Sequence, residues 1–216
     1  MRPVVIYALI PMGAYLLGAV PFGLVLCRAV KGVDIRRHGS ENIGATNAGR
    51  VCGWPFFVAT FVLDFGKGLA PVLGGVAIAE AVGADVSCDL LGVVYGVAAI
   101  LGHTFPVYVG FRGGKAVATS FGVFVALAPW AALIALGVWA VFFAAFRYVS
   151  LASMAGAIAA PVAYAALHRW TLKDRLSVLF FGIAIALLVI VRHRANIGRL
   201  LSGTESRFRR KKPDAD

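Results

Sequence analysis

Charged side chains are scarce in this chain. Asp, Glu, Lys and Arg make up only 14% of its 216 residues, against about 25% in soluble domains. Hydrophobic residues account for 60%, so too little polar surface remains to cover a water-soluble globule. The composition therefore excludes a soluble domain and predicts an integral membrane protein.

Paired cysteines, clustered carboxylates and internal repeats are also missing. The three cysteines are odd in number and have neither paired nor metal-type spacing. Histidines and carboxylates do not cluster along the chain, so we predict no metal site and no cofactor. Without a repeat or a change of composition, residues 1–206 are predicted to form one membrane-embedded domain, and residues 207–216 a basic, disordered tail.

Acidic residues are outnumbered by basic ones, 10 against 21, which in a soluble protein would suggest a nucleic-acid partner. Here the basic residues lie between long apolar runs, where Lys and Arg set membrane topology. The sequence therefore predicts membrane lipid as the surroundings and no nucleic-acid partner.

Long apolar runs supply the membrane-crossing helices. A helix rises about 1.5 Å per residue and the hydrocarbon core is about 30 Å thick, so roughly 20 apolar residues make one crossing. Residues 116–146 are long enough for one tilted helix or for two short ones separated at Pro129. The other predicted spans are residues 4–27, 55–81, 90–101, 154–167 and 176–191.

The distribution of charge decides between six and seven spans. With seven, the basic linkers 28–50 and 112–115, Arg147 and the C-terminal tail all lie on one side, as the positive-inside tendency requires. Six spans would place the tail opposite the first two linkers. The linker 168–175 is an exception to this tendency, because its basic residues lie on the other side. We therefore predict an all-α fold of about seven transmembrane helices, with the N-terminus outside and the C-terminus in the cytoplasm.

Three polar, glycine-punctuated segments interrupt the apolar sequence, at residues 39–50, 102–119 and 192–206. Unsatisfied backbone N–H and C=O groups are too costly in hydrocarbon for such segments to face lipid. The predicted topology places all three segments on the cytoplasmic face, where we expect a functional site.

The first segment, GSENIGATNAGR, combines hydrogen-bonding side chains with glycines. Glycines let backbone amides approach an anion, and hydroxyl, amide and guanidinium groups can orient it. Taken alone, the segment fits a turn-rich loop in which Ser40 and Asn42 cap helices somewhat better. The candidate phosphate ligands are Ser40, Asn42, Gly44, Thr46, Asn47 and Arg50.

The second segment centres on Gly113-Gly114-Lys115. It lacks the spacing and the metal-binding hydroxyl of a nucleotide-binding loop, so ATP or GTP use is not supported. A Gly-Gly hinge, an ammonium group and a helix that starts near Ala116 form a candidate anion site. Taken alone, Lys115 fits a positive-inside anchor equally well, and His103 in the same segment is interpreted as structural.

In the third segment His193 and Asn196 are three residues apart and share one helix face. A neutral imidazole can orient or deprotonate a hydroxyl group, and Asn196 can hold the same substrate. A basic juxtamembrane helix that binds anionic lipid explains the segment equally well. Asp64 and Lys67, in the second span, are interpreted as a neutralising pair, with Lys67 also a candidate to reach the cytoplasmic site.

Taken together, the motifs are far more specific than any one of them. Over nearly its whole length the chain resembles the bacterial acyl-phosphate:glycerol-3-phosphate acyltransferases. Four motifs carry the resemblance, in this order: SENIGATNAGR at 40–50, DFGKG at 64–68, GHTFPVYVGFRGGKAVAT at 102–119 and HRANIGRLLSGTES at 193–206. The resemblance implies seven spans with the motifs on the cytoplasmic side. It maps the family's site onto Ser40, Asn42, Thr46, Asn47 and Arg50 of the first segment, Lys115 with its glycines Gly113 and Gly114, and His193, Asn196 and Glu205. It adds a serine near the turn between the fifth and sixth spans, for which Ser150 and Ser153 are both candidates.

The resemblance implies transfer of an acyl group from acyl phosphate to the sn-1 hydroxyl of glycerol 3-phosphate, giving lysophosphatidic acid and inorganic phosphate. Because phosphate is a stable leaving group, such an enzyme needs positioning and anion stabilisation more than a strong nucleophile. We expect Arg50, Lys115 and Asn196 to hold the acceptor phosphate. Ser40 and His193 are the candidates for catalysis, Ser40 by holding the donor and His193 by orienting the acceptor. Whether His193 or the departing phosphate takes the proton is left open.

The alternative is a membrane transporter of a phosphorylated metabolite. Transporters of this kind carry internal repeats and bind at the midplane, whereas here the polar groups gather at one face. No histidine has an aspartate five positions further on, which is the box of acyl-CoA-dependent glycerol-phosphate acyltransferases. We therefore expect an enzyme of the bacterial plasma membrane that uses acyl phosphate. Chain-length preference and oligomeric state are not predicted, although a monomer is compatible with the sequence.

Overall fold

The computed structural model describes residues 2–171 and 176–208, and every regular element in this part of the chain is helical. Val5–Leu9 forms a π-helix, and Ile35–Arg37 and Val107–Val109 form short 3-10 helices. The predicted all-α fold is confirmed. The α-helices are α1 (Arg2–Val4), α2 (Ile10–Ala19), α3 (Phe22–Lys31), α4 (Ala45–Cys52), α5 (Trp54–Ala81), α6 (Cys88–Thr104), α7 (Val117–Leu127), α8 (Pro129–Phe146), α9 (Val149–Leu167), α10 (Leu176–Arg192) and α11 (Arg194–Leu201).

Several of these helices suit a membrane crossing. Four are long and apolar enough for one, namely α5, α6 with its extension to Val109, α8 and α9. Two bent pairs raise the number to six: the segment Val5–Ala19 with α3, bent by 42°, and α10 with α11, bent by 58°. The apolar helix α7 is shorter. The chain is thus a multi-pass membrane protein, as predicted, whereas the count of seven and the orientation stay predictions.

The predicted division of residues 116–146 at Pro129 is confirmed. Helix α7 ends at Leu127 and α8 begins at Pro129, while Ala128 between them leaves the helical conformation, at φ −150° and ψ 68°. Proline has no N–H and fits the first turn of a helix, so it can start α8 but cannot extend α7. A second break, at Val20-Pro21, was not predicted; it bends the first span, which continues to Lys31.

Glycines bring α7 into backbone contact with α5. A Cβ atom on Gly68 would collide with the carbonyl oxygen of Thr119, and one on Gly122 would collide with that of Phe65. Small residues permit such close approach of helices within membranes, where van der Waals packing is a main source of association. The contact fixes the start of α7, and hence the preceding Lys115, relative to α5.

The largest buried apolar cluster lies between α7, α8, α9 and α10. Many of its members are alanines, so these helices approach one another without large side chains between them. The cluster includes Phe124, Ala131, Ala132, Ala135, Ala160, Ala163, Tyr164 and Phe181.

Asp64 and Lys67 form the ion pair that their spacing predicted. The Lys67 ammonium lies 2.8 Å from the Asp64 carboxylate, and both side chains are buried. Lys67 also donates a hydrogen bond of 2.9 Å to the carbonyl oxygen of Val20, at the break between α2 and α3. The pair therefore neutralises a buried charge and ties α5 to the bent first span.

Candidate active site

A cavity of about 800 Å³ lies between α4, α5, α7, α8, α9 and α10. One end is polar and the rest is largely apolar. Residues that are far apart in the sequence converge on the polar end, so the three predicted segments share one site. The candidates that line the cavity are Ser40, Asn42, Gly44, Thr46, Asn47, Arg50, Lys115, Ser150, Ser153, His193, Asn196 and Glu205.

The loop before α4 is organised by Asn47, which is almost fully buried. Its Oδ1 atom accepts a hydrogen bond of 2.9 Å from the backbone N–H of Ser40. Its Nδ2 group donates to the carbonyl oxygens of Ile35 at 2.8 Å and Asn42 at 2.9 Å. Because these bonds occupy the amide, Asn47 positions Ser40 and the start of α4, although it was predicted as a phosphate ligand.

The N-terminus of α4 forms part of the polar end. Asn42 Oδ1 accepts a hydrogen bond of 2.9 Å from the N–H of Gly44, the residue that precedes α4. Gly44 and Thr46 line the cavity beside this terminus, where free N–H groups and the helix dipole favour an anion. Arg50 also lines the cavity and donates a hydrogen bond of 3.3 Å to the carbonyl oxygen of Ser206.

Gly113 and Gly114 position Lys115 and do not line the cavity. Their carbonyl oxygens accept hydrogen bonds of 2.8 to 3.2 Å from the Arg192 guanidinium. The N–H of Gly114 donates a hydrogen bond of 3.1 Å to the carbonyl oxygen of His103. A Cβ atom on Gly114 would collide with the His103 ring, so only glycine permits this approach. The predicted hinge is thus held in place on both sides by hydrogen bonds.

A chain of hydrogen bonds joins the second and third segments. Lys115 Nζ donates a hydrogen bond to Asn196 Oδ1, and Asn196 Nδ2 donates a hydrogen bond of 2.7 Å to the Glu205 carboxylate. The same carboxylate accepts bonds of 2.7 Å from Ser150 Oγ and from Arg199 Nε. Burial raises the pKa of Glu205, but these hydrogen bonds and the Arg199 charge outweigh it, so that the net pKa is below its usual value. An ionised Glu205 thus holds Asn196 and, through it, Lys115 in position.

The two candidate serines on α9 have different partners. Ser150 Oγ donates to Glu205 at 2.7 Å, which places it within the polar network. Ser153 Oγ instead accepts a long hydrogen bond of 3.4 Å from the Trp139 indole N–H. Both serines line the cavity, and Ser150 is the one that lies at its polar end.

His193 is buried at the junction between α10 and α11. Its Nδ1 atom lies 2.8 Å from the carbonyl oxygen of Val189. A carbonyl oxygen can only accept, so Nδ1 carries the proton in this bond. In the neutral ring Nε2 is then the acceptor, as required for orienting a substrate hydroxyl.

The residues after α11 fold back over the polar end. The N–H of Phe208 donates a hydrogen bond of 2.9 Å to the carbonyl oxygen of Arg147, and Arg207 donates 3.2 Å to the Tyr148 hydroxyl. Arg207 and Phe208, which were assigned to the tail 207–216, therefore pack on the α8–α9 turn. The rest of that tail lies outside the described residues.

Three residues near the site were not recognised as functional from the sequence. Arg147 lines the cavity, and Arg192 holds the carbonyl groups of the loop before Lys115. His103, interpreted as structural, lines the cavity, and its Nδ1 atom lies 3.8 Å from the Asp64 carboxylate. Arg192 is the first residue of the third polar segment, which could have indicated it, whereas Arg147 resembles any basic residue between two apolar runs. Lys67, a predicted substrate ligand, lies outside the lining.

Loss of charge on Lys115 is expected to lower activity at alkaline pH. Burial is the main reason that the pKa of Lys115 falls from 10.5 to about 8; Glu205 raises it, and Arg199, Arg50 and Arg192 lower it further. Because kcat/KM reports the free enzyme, it should fall as the pH rises through about 8. A Lys115→Arg variant keeps its charge, so its residual activity should not show this step. A wild-type profile without a step between pH ~7 and ~9.5 would contradict the role of Lys115 as a cation.

The fold and the site together define a multi-pass membrane protein with an anion-binding end on an apolar cavity. The chain belongs to the glycerol-3-phosphate acyltransferase family, whose sequence model matches residues 8–203. It is therefore an acyltransferase, and the predicted resemblance is confirmed.

Relatives match over most of their length. The chain is 43% identical to "Glycerol-3-phosphate acyltransferase" of Anaeromyxobacter dehalogenans, over 96% of this chain and all of that protein. It is 45% identical to the protein of the same name from Aquifex aeolicus, over 90% and 95% of the two chains.

Two crystal structures share the fold. One is the integral membrane glycerol 3-phosphate acyltransferase PlsY in its glycerol 3-phosphate form, with a TM-score of 0.81, 42% identity and coverage of 93% of this chain and 94% of that one. The other is the lysophosphatidic acid form of PlsY, with a TM-score of 0.79 and 41% identity.

Proposed function

We propose that this chain transfers an acyl group from acyl phosphate to the sn-1 hydroxyl of glycerol 3-phosphate, with lysophosphatidic acid and inorganic phosphate as products. The observation that carries the proposal is one cavity with a cationic, hydrogen-bonding end and an apolar remainder. Such a cavity suits the joining of a phosphorylated polyol to an acyl chain. Crystal forms of PlsY named for glycerol 3-phosphate and for lysophosphatidic acid support this choice of acceptor and product.

The lack of a free carboxylate supports an activated donor. Among the described residues, the cavity lining includes two carboxylates, Asp64 and Glu205. Asp64 is paired with Lys67, and Glu205 accepts three hydrogen bonds. Neither is available as a strong general base. An acyl phosphate is a mixed anhydride that needs mainly positioning and charge stabilisation, which this site supplies.

The residues take the following roles in the proposed reaction. Arg50, Lys115 and Asn196 bind the acceptor phosphate, and Ser40 with the start of α4 binds the donor phosphate. His193 Nε2 accepts a hydrogen bond from the sn-1 hydroxyl and orients it towards the acyl carbonyl. The C–O ester bond forms, the bond between carbonyl carbon and phosphate oxygen breaks, and the hydroxyl proton leaves with the phosphate, directly or through Nε2.

Donor choice gives the test of this function. With purified protein we expect lysophosphatidate from acyl phosphate and glycerol 3-phosphate, without coenzyme A, ATP or divalent metal, and at an undiminished rate in a chelator. Acyl-CoA and acyl carrier protein thioesters serve as matched donors of the same chain length. Turnover with a thioester alone, or complete loss in chelator, would rule out the proposed donor.

We also propose that the site opens to the cytoplasm at the bacterial plasma membrane, with the C-terminus on the same side. The positive-inside tendency places the basic linkers next to the site on the cytoplasmic side. Cysteines introduced at Lys31, Gly110 and Ser206 should be shielded from an impermeant thiol reagent in intact cells and should label after permeabilisation. A cysteine at Gly83, in the turn between α5 and α6 that contains Asp85, is the control that should label from outside, because this turn carries no basic residue. Labelling of any of the first three in intact cells would contradict this orientation.

A further inference from the structure

Beyond the polar network the cavity continues as an apolar channel between α7, α8, α9 and α10. On these helices the lining residues farthest along the helix from the polar end are, respectively, Phe124, Ala132, Ala160 and Gly182. Three of the four are small, and all four are buried within the protein. We call the space from Ser150 and His193 down to these four residues the acyl channel.

Two helices give the same length for the acyl channel. On α9 it runs from Ser150 to Ala160, and along α10 it runs from Gly182 up to His193. At about 1.5 Å per residue these stretches span about 15 Å and about 16.5 Å. One leaflet of a bilayer contributes half of the ~30 Å hydrocarbon core, or about 15 Å. The channel thus has the length of an acyl chain in one membrane leaflet.

The inner end of the channel is closed by tight packing. The Phe124 ring stacks on Phe181, with ring centroids 5.8 Å apart. A Cβ atom on Gly182 would come within 2.8 Å of Phe124 Cζ and 3.2 Å of Pro161 Cβ. Packed interiors do not yield to an added methylene without strain, so this end cannot lengthen to admit a longer chain.

We propose that Ala132, Ala160 and Gly182, closed by Phe124, set the longest acyl chain that the enzyme accepts. This inference rests on the proposed function and specifies its donor: an acyl phosphate whose chain matches one leaflet. Small side chains at Ala132 and Ala160 keep the channel open to its full depth, and Gly182 accommodates the Phe124 ring that forms its floor. A larger side chain at Ala160 shortens the channel, and a smaller one at Phe124 lengthens it.

The test is a chain-length profile of kcat/KM with dodecanoyl, hexadecanoyl and octadecanoyl phosphate. Ala160→Leu adds three carbons to the wall of the channel, which displace about three methylenes of a long acyl chain. Each methylene that loses its place in the channel should lower kcat/KM about fourfold. The hexadecanoyl to dodecanoyl ratio should therefore fall by about 60-fold. Phe124→Leu should raise the octadecanoyl to hexadecanoyl ratio. Val162→Leu, on the same helix but 64% exposed, is the matched control and should leave both ratios as in the wild type.

The outcomes separate this inference from the proposed function. If the wild type acylates glycerol 3-phosphate but the folded Ala160→Leu and Phe124→Leu proteins keep its chain-length profile, the acyl channel does not set chain length. If Ala160→Leu fails to fold, Ala132→Val narrows the channel from α8, and an unchanged profile there overturns the inference equally. If the wild type uses no acyl phosphate of any length, that result contradicts the proposed function itself, and the inference on chain length falls with it.

Discussion

Replacing Lys115 with methionine is expected to lower kcat/KM for glycerol 3-phosphate by roughly 10- to 150-fold. The change removes a charge-assisted hydrogen bond worth about 1.5–3 kcal/mol from the acceptor phosphate. Methionine keeps most of the length of the side chain, so the loop between Gly114 and α7 should keep its packing. Steady-state kinetics in detergent or lipid mesophase measure the effect, and a contact that is also made in the transition state will lower kcat as well.

The matched control for this variant is Lys31→Met. Lys31 is an exposed lysine at the end of α3, so its loss removes the same charge from the protein without touching the cavity. Wild-type kinetics for Lys31→Met and a large loss for Lys115→Met would separate a specific phosphate contact from the general effect of net charge. Equal kinetics for the two variants would identify Lys115 as a membrane anchor, and the acceptor site would then need other residues.

Replacing Lys67 with methionine is expected to destabilise the protein by about 3–5 kcal/mol, because Asp64 is left buried without its counter-ion. Both residues are only 3% exposed, so little water reaches the unpaired carboxylate. Thermal unfolding of the purified protein in one detergent measures the loss. This prediction treats Lys67 as structural, since it bonds to Asp64 and Val20 and does not line the cavity.

A double variant provides the control for Lys67. Replacing the pair together, as Asp64→Leu with Lys67→Met, removes both charges and should recover much of the lost stability, since buried ion pairs often exchange for apolar pairs at little cost. If Lys67→Met unfolds at the wild-type temperature but fails to bind glycerol 3-phosphate, Lys67 would be a ligand after all.

The sequence predicted the membrane class, the helical fold and the break at Pro129, because these depend on local properties such as hydropathy and the missing N–H of proline. It also predicted that the three polar segments would meet, since such segments cannot face lipid. The break at Val20-Pro21 was missed although Pro21 carries the same signal as Pro129, because proline alone does not decide a break: Pro71 and Pro161 lie inside continuous helices.

Individual roles in the site were less accessible from the sequence. Nothing local shows that Asn47 binds backbone groups of its own loop, or that Arg192 holds the carbonyl groups of Gly113 and Gly114. Every residue has a backbone carbonyl group, so the residue type does not indicate which carbonyl oxygens accept these hydrogen bonds. Contacts between distant segments, such as the bond from Ser150 to Glu205, depend on how helices pack. Motif position identified the residues but not which of them would touch a ligand.

The most direct measurement is the fate of acyl phosphate that carries ¹⁸O in its bridging oxygen. Incubated with purified protein and glycerol 3-phosphate, it should give lysophosphatidate and inorganic phosphate in equal amounts, with the ¹⁸O in the phosphate, because the bond from the acyl carbon to that oxygen breaks. Mass spectrometry of both products measures this. Uptake of glycerol 3-phosphate into vesicles without lysophosphatidate, or ¹⁸O retained in a released fatty acid, would contradict direct acyl transfer.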